Sequence, residues 1–237
     1  MPGTEADIDL SIVLVAYNSG DVLPACLRSV KTQTLGVTYE LIVVDNASSD
    51  GTLGSLEAEH PDVTVIRNAD NAGFARASNQ GIEIAVGRRI VLLNCDTELR
   101  DDAFTRMMAR MDDHEDIGVL GPRMVDASGA RLATAHHFGT WKTVFFATFR
   151  VDGLVPKALK AQAARLAGKE AVAYVSALDS DEPIDTDWLS GACLMVSREA
   201  IDDVGVLDER YFLYMEDEDW CRRIRCAGWR IVLTSPH

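Results

Sequence analysis

Residues 88–97, Arg88-Arg89-Ile90-Val91-Leu92-Leu93-Asn94-Cys95-Asp96-Thr97, form the stretch whose reading decides the fold. Residues 90–93 are a continuous apolar run, the pattern of a strand buried on both faces of a sheet. The run breaks abruptly into polar residues at Asn94. In an open α/β sheet the carboxyl ends of the strands face the ligand crevice, and a carboxylate there can hold a divalent cation that in turn holds a diphosphate. Taken alone, the segment fits a second reading equally: Asp96 caps a helix starting near Arg100, because Asp and Thr suit such junctions.

The same pattern recurs upstream. Residues 10–16 (LSIVLVA) are a short apolar strand that breaks at Tyr17-Asn18-Ser19-Gly20, with Asp21 placed to cap a helix running to about Thr34. Residues 40–44 (ELIVV) end in Asp45-Asn46-Ala47-Ser48-Ser49-Asp50-Gly51-Thr52. A helix follows, then a strand at 63–67, and Asn71-Ala72-Gly73 turns the chain into a helix over about 74–86. This alternation predicts an α/β protein with a mostly parallel sheet covered by helices. Asn18, Asp45 and Asp96 stand at strand ends, so their side chains converge on one crevice if these strands are neighbours. A dinucleotide-binding fold would end its first strand in GxGxxG, letting the backbone approach a pyrophosphate. AYNSGD has a single glycine, and no GxxxxGK[ST] is present, which excludes a P-loop.

The chain has 237 residues, 47% hydrophobic and 25% charged, within the range of one large α/β domain. A formal net charge of −14 excludes generic nucleic-acid binding, which needs a basic stripe. It also means that a phosphorylated ligand needs a metal or well-placed arginines to offset repulsion. The cysteines, Cys26, Cys95, Cys193, Cys221 and Cys226, form no CxxC pair. Four of these five sit in apolar or helical patterns, the habit of buried free thiols in a reducing compartment. The amino terminus lacks the basic and apolar regions of a signal peptide, and no apolar run reaches the length of a membrane span. A cytoplasmic location is expected.

The second half reads differently. Residues 117–125 (IGVLGPRMV) are a strand with a Gly-Pro break, followed by a turn at 126–129. Over 136–185 the pattern loosens. Trp141, Val144, Phe145, Phe146 and Phe149 gather beside Lys142 and Arg150, and 156–169 has the pattern of a basic amphipathic helix. Core packing and a membrane-surface flap both account for it. Residues 188–192 lead into a strand at 193–196 and a short helix at 198–204. The densest polar cluster follows: Glu216-Asp217-Glu218-Asp219-Trp220-Cys221-Arg222-Arg223. A helix beginning near Glu216 places four acids in its first turn, where the dipole favours negative charge. The row is also flanked by Tyr211, Phe212, Tyr214 and Trp220, like the wall of a sugar pocket, where a carboxylate can serve as general base.

The motifs SIVLVAYNS, VVDNASSDGT, NAGFARASNQGI, LLNCDT, WLSGACLMVSREA and LDERYFLYMEDEDWCRRIRCAGWRI together resemble family 2 glycosyltransferases of the GT-A fold. Within these the chain is most similar to rhamnosyltransferase-type enzymes that build bacterial cell-surface glycans. The resemblance runs from about Asp9 to Pro236, interrupted mainly over 136–185. It implies a single GT-A domain over 1–237, with one mostly parallel, mixed central sheet flanked by helices. A nucleotide-sugar-binding half would occupy 1–98, and an acceptor-binding and catalytic half 99–237.

On this resemblance Ala16, Tyr17 and Asn18 pack on the nucleotide and Asp45 hydrogen-bonds its base. Asn94-Cys95-Asp96 matches the family's DxD-type motif, with Asn94 in the first acidic place on the nucleotide sugar and Asp96 as the ligand of Mg²⁺ or Mn²⁺. Trp188 and Gly191 line the donor sugar and the acceptor. Asp217 is the base, with Glu216 as the second candidate, and Arg223 lies near the diphosphate. The implied donor is a dTDP- or UDP-sugar, rhamnose first. The implied acceptor is a glycan or a lipid-linked one, reached through peripheral contact with the inner face of the plasma membrane. The family's pattern continues past the last strand to a further metal-ligating histidine whose position His237 does not match, so a truncated carboxyl terminus and an incomplete metal shell are expected. Two other classes stay open. One is a sugar nucleotidyltransferase, whose first loop should be rich in glycine and lysine, where AYNSGDVLP has no lysine. The other is a non-catalytic nucleotide-binding module.

Overall fold

The structure, a computed structural model, describes residues 8–34, 36–138 and 182–234. The aromatic run at 141–149, the helix expected at 156–169, most of the 136–185 excursion and His237 lie outside the described residues. The described strands are β1 (Leu10–Ala16), β2 (Tyr39–Asp45), β3 (Thr64–Arg67), β4 (Arg89–Asn94), β5 (Ile117–Pro122), β6 (Ala135–His136), β7 (Ile184–Asp185), β8 (Trp188–Leu189), β9 (Cys193–Ser197) and β10 (Arg230–Thr234). The described helices, numbered in order, are α1 (Leu23–Gln33), α2 (Thr52–Glu59), α3 (Phe74–Ile84), α4 (Ala103–Asp113), α5 (Arg198–Val204) and α6 (Glu216–Cys226).

An eight-stranded sheet in the order β3-β2-β1-β4-β9-β5-β10-β7 forms the centre, and β6 pairs with β8 in a small separate sheet. β3, β2, β1 and β4 are mutually parallel, as their apolar runs and helical crossovers predict. β9 enters between β4 and β5 antiparallel to both, while β5 and β10 are again parallel. The sheet is therefore mixed.

Alternation along the strands feeds two apolar layers. Ile12 and Leu14 join Leu23, Cys26 and Leu27 of α1 and Phe104, Met107 and Met111 of α4 on one face. Val13 and Leu92 join Ala75 and Ile82 of α3, Ala200 of α5, and Trp220 and Ile224 of α6 on the other. Cys26, Cys95, Cys193 and Cys221 are buried free thiols, whereas Cys226 is exposed. Burial pushes the Cys95, Cys193 and Cys221 thiols up to about 12, so they are chemically quiet. Among the described residues no helix is long and apolar enough to cross a membrane.

Two element boundaries differ from the sequence reading. α1 starts at Leu23, with Val22 at the cap position and Pro24 in the first turn, so Asp21 is not the cap. Proline's fixed φ makes it a natural opener of a helix. β5 stops at Pro122, which ends the pairing, and Val125 bridges only to Arg131.

Gly81 sets how closely α3 lies on β1, because a Cβ there would stand 2.3 Å from Val13 Cγ1. Gly→Ala inside an exposed helix normally gains about 1 kcal/mol. Here Gly81→Ala is expected to lose about 1–3 kcal/mol from forced repacking, read as a lower midpoint in urea unfolding at unchanged slope.

Candidate active site

Parallel register levels the ends of three strands. Ala16 stands opposite Asp45, and Val15 opposite Asn94. Beyond these ends opens a cleft of about 330 Å³ whose lining includes Tyr17, Asn18, Asn94 and Asp96. The structure thus brings together the polar strand ends of β1 and β4. Ala16 is fully buried and offers its carbonyl, which accepts from Asn46 N at 2.7 Å. Asp45 is buried as well. Its Oδ2 accepts from Ser48 N at 3.3 Å, but its Oδ1 has no hydrogen-bond partner among the described residues. A buried acceptor left unmatched costs free energy that a bound donor group recovers.

The loops after β1 and β2 clasp each other. Asn18, at φ 50°, donates its amide to Ser48 Oγ at 2.9 Å and accepts Ser49 N on its own Oδ1 at 2.9 Å. Asp50 accepts Gly20 N at 3.0 Å and Thr52 N at 3.0 Å, and also takes the Thr52 hydroxyl. That hydroxyl first, then the two amides, hold the Asp50 carboxyl down at about 2.

A second network was not read from the sequence. Asn46 is buried, and its Nδ2 donates to Asn71 Oδ1 (2.9 Å) and Gly73 O (3.2 Å). Its Oδ1 accepts from Asn68 Nδ2 and Ala72 N, each at 3.0 Å. All of its side-chain bonding capacity is thereby matched. The loop it fixes carries Gly73, at φ 84°, where a Cβ would lie 2.6 Å from Phe212 O. Phe74 N donates to that same carbonyl at 2.8 Å. Asn79 extends the tie: its Nδ2 donates to Leu207 O at 2.9 Å and its Oδ1 accepts Leu207 N at 3.0 Å. A lone Asn among Ala77, Ser78 and Ile82 on the buried side of α3 was the available signal.

Asp96 is exposed on the turn after β4, and its carboxylate makes no hydrogen bond or ion pair among the described residues. The helix-cap reading fails, because α4 starts only at Ala103 with Asp102 at the cap position. The turn itself is held by Asn94 N donating to Ala192 O at 2.9 Å and Thr97 N to Asn94 O at 3.1 Å. As a hard, unpaired oxygen ligand in a cleft, Asp96 suits a divalent cation such as Mg²⁺ or Mn²⁺. Among the described residues no set of three His, Cys, Asp or Glu gathers to hold a metal. The donor set is one carboxylate, which a diphosphate's oxygens and water would complete.

The acidic row lies in the first turn of α6 as expected, and the four acids divide their work. Glu216 falls on the buried stripe with Trp220 and Ile224, at helical spacing of four. Its carboxyl is pushed up by burial, with the Asp217 charge adding to the effect, and its Oε2 has no hydrogen-bond partner among the described residues. Asp217, about 100° around the helix, reaches the rim instead. Its Oδ2 accepts Gly191 N at 2.9 Å and its Oδ1 accepts Glu218 N at 2.9 Å. A Cβ on Gly191 would lie 3.6 Å from Asp217 Oδ2 and 3.9 Å from Phe74 Cε1, and Phe74 lines the cleft. Through Gly191, Asp217 is linked to Phe74, but it is not itself among the residues that line the cleft. Glu218 and Asp219 pair with Arg222 and Arg223 one turn on, at 3.1 and 2.9 Å.

Two expected residues make contacts other than those the sequence reading assigned, and Trp188 packs beside the Gly191 segment. Arg223 does not line the cleft: besides Asp219, its guanidinium donates to Val204 O and Val206 O, each at 2.8 Å, bracing the connection between α5 and α6. Trp220 is no pocket wall. It is fully buried and donates Nε1 to Gly205 O at 2.8 Å. Trp188 stacks on His136 with ring centroids 4.2 Å apart, one residue from Leu189 and three from Gly191, and its Nε1 has no hydrogen-bond partner among the described residues.

Asn46→Ala is expected to destabilise the protein by about 2–3 kcal/mol and to weaken nucleotide binding, measured by urea unfolding and calorimetry. The pH dependence of Glu216 runs opposite to that of a paired carboxylate. With its folded pKa raised, protonated Glu216 supports folding fully below the unfolded value of about 4.3. That support is lost as pH rises through the folded value. Glu216→Gln should therefore gain stability over wild type toward neutral pH, with the difference vanishing below about pH 4 in parallel melts.

The glycosyl transferase family 2 model matches residues 11–205. The chain is 28% identical over 234 residues to an N-acetylglucosaminyl-diphospho-decaprenol L-rhamnosyltransferase of Mycobacterium tuberculosis, covering 94% of this chain and 72% of that protein. It is 29% identical over 255 residues to the succinoglycan biosynthesis protein ExoO of Rhizobium meliloti, covering 96% and 72%. Solved structures with the same fold include the mannosyltransferase PcManGT from Pyrobaculum calidifontis in complex with GDP-Man and Mn²⁺, at TM-score 0.61 and 17% identity, covering 98% of this chain and 55% of that one. Another is S. aureus TarS 1-349 in complex with UDP, at TM-score 0.61 and 16% identity, covering 95% and 57%. The chain thus spans a little over half the length of these structural neighbours. With the family model covering most of its length and its fold shared with these solved structures, the chain belongs to glycosyl transferase family 2 and carries the GT-A fold.

Proposed function

We propose that this chain moves a sugar, rhamnose foremost, from a dTDP- or UDP-sugar to a glycan or lipid-linked acceptor in cell-surface polysaccharide synthesis, inverting the anomeric centre. The observation that supports the reading is the Asp217 carboxylate, pinned by the amide of Gly191, a residue that neighbours the cleft-lining Phe74. The rhamnosyltransferase relative supports the choice of sugar.

In this reading the nucleotide base takes up the unmatched Asp45 Oδ1, and Tyr17 and Asn18 pack on the nucleoside. The clasp between the first two loops keeps that platform rigid, so binding energy is not spent on ordering it. A divalent cation held by Asp96 and the donor's phosphates would supply charge neutralisation for the departing diphosphate.

A sugar hydroxyl is a poor nucleophile, and a carboxylate hydrogen-bonded to it removes the proton as the new bond forms. Asp217 is the group placed for that task. The amides of Gly191 and Glu218 fix its orientation, while each oxygen keeps a second lone pair for the acceptor. Attack from the side opposite the leaving diphosphate inverts configuration in one step. Glu216, held in the core by its helical position, keeps the first turn of α6 seated and does not meet the acceptor. Gly191 gives the acceptor room beside Asp217 that any side chain would fill, and the Trp188 and His136 stack borders the same segment.

Asp217→Asn should lower transfer by at least about 10²-fold while leaving UDP binding unchanged, whereas Glu216→Gln should stay within a few-fold of wild type. The reverse pattern in steady-state kinetics would make Glu216 the base. Asp96→Asn should abolish the gain in UDP affinity that Mn²⁺ produces in calorimetry. An unchanged gain would remove Asp96 from the metal.

A further inference from the structure

Where α5 ends, residues 204–207 carry four successive carbonyls, and a side chain from another helix takes each of them. Arg223 donates Nη1 to Val204 O and Nη2 to Val206 O, and Trp220 donates Nε1 to Gly205 O, each at 2.8 Å. Asn79 donates Nδ2 to Leu207 O at 2.9 Å and accepts the Leu207 amide on Oδ1 at 3.0 Å. A helix leaves its last carbonyls unmatched, and at a surface water satisfies them. Here two residues of α6 and one of α3 take that place. The ties are directional. Asp219 Oδ2 takes Nε of Arg223 at 2.9 Å, so the three guanidinium nitrogens meet three fixed acceptors, a match that the ammonium of lysine cannot copy. Asn79 is buried, and both polar ends of its side chain engage Leu207.

α3 opens at Phe74, which lines the cleft, and α6 opens with Glu216 and Asp217. The 204–207 segment joins the two helices. Asn79 fastens it to α3, and Trp220 and Arg223, three and six residues after Asp217, fasten it to α6. We propose that residues 204–207 form a splint that sets α6 against the nucleotide-binding half, and that Arg223 and Asn79 are positioning residues of the transfer reaction acting through it. The inference rests on the reading that Asp217 is the base. Gly191 N holds the Asp217 carboxylate directly, at 2.9 Å. The splint holds the helix that carries it, and a rigid helix fixed at two separated places does not swing about either one. Reacting groups held out of line lose turnover, while a nucleotide bound at the strand ends keeps its affinity. The link runs in series from α3 through Asn79, the segment and Arg223 to α6. Once one end is released, releasing the other changes little.

The test is steady-state kinetics and UDP calorimetry of Arg223→Lys, Asn79→Ala and their combination, each first checked for folding by urea unfolding. Each single variant should lower kcat at least about tenfold. Donor KM and UDP affinity should stay within about twofold of wild type. The double variant should match the worse single within about twofold, whereas independent sites would multiply their losses. Multiplied losses overturn the splint, and so does a wild-type kcat in folded Arg223→Lys. A large fall in UDP affinity in Arg223→Lys places the guanidinium on the diphosphate and overturns it as well. Arg223 is half-buried and Asn79 fully so; if Asn79→Ala does not fold, the kcat and UDP affinity of Arg223→Lys decide. Normal turnover in Asp217→Asn, beside the expected losses in Arg223→Lys, would defeat the base assignment alone. An inactive Asp217→Asn beside an unaffected Arg223→Lys would defeat the splint alone.

Discussion

The site depends on the register of β1 against its neighbours. With Ala16 opposite Asp45 and Val15 opposite Asn94, three parallel strands end at one level, and everything polar that follows them meets in one place. Slipping that register by a single residue would turn Val13 away from α3 and set Ile12 and Leu14 on the wrong apolar layer. The core therefore enforces the alignment that the cleft uses. Packing and chemistry are coupled through the pleat of a sheet.

Antiparallel β9 carries the second half of the site to the first. It is inserted between β4 and β5, and the residues just before it reach the end of β4, where Ala192 O takes the Asn94 amide. One residue earlier, Gly191 N holds Asp217. One backbone–backbone hydrogen bond and one from a backbone amide to the carboxylate thus connect the turn that presents Asp96 with the group assigned as base. The buried Asn46 and Asn79 do a similar service on the other wall, tying the loop before α3 and the Leu207 segment into one frame. Rigid positioning of this kind is where a glycosyl transfer site gains most, since the reacting groups must be held near attack geometry.

Much of this was legible in the chain. Continuous apolar runs ending in Asn18, Asp45 and Asp96 gave the parallel strands and the edge that bears the cleft. The acidic row at 216–219 gave the start of α6. The direction of β9 was not legible, because strand orientation is decided by tertiary connection and not by local pattern. The asparagine network was hidden because Asn68, Asn71 and Asn46 read as ordinary turn residues. Trp220 misled for a different reason: aromatic residues beside acids suggest a sugar wall, yet the spacing 216, 220, 224 assigns it to the core. The same spacing separates Glu216 from Asp217, so helix periodicity held the distinction between the two acids.

A crystal structure with UDP and Mn²⁺ tests the central claim most directly. The account predicts the uracil ring donating to Asp45 Oδ1, the metal on Asp96, and open space between the diphosphate and Asp217 for the donor sugar and acceptor. UDP seated outside the strand-end cleft, or Asp45 Oδ1 still unmatched with nucleotide bound, would contradict it.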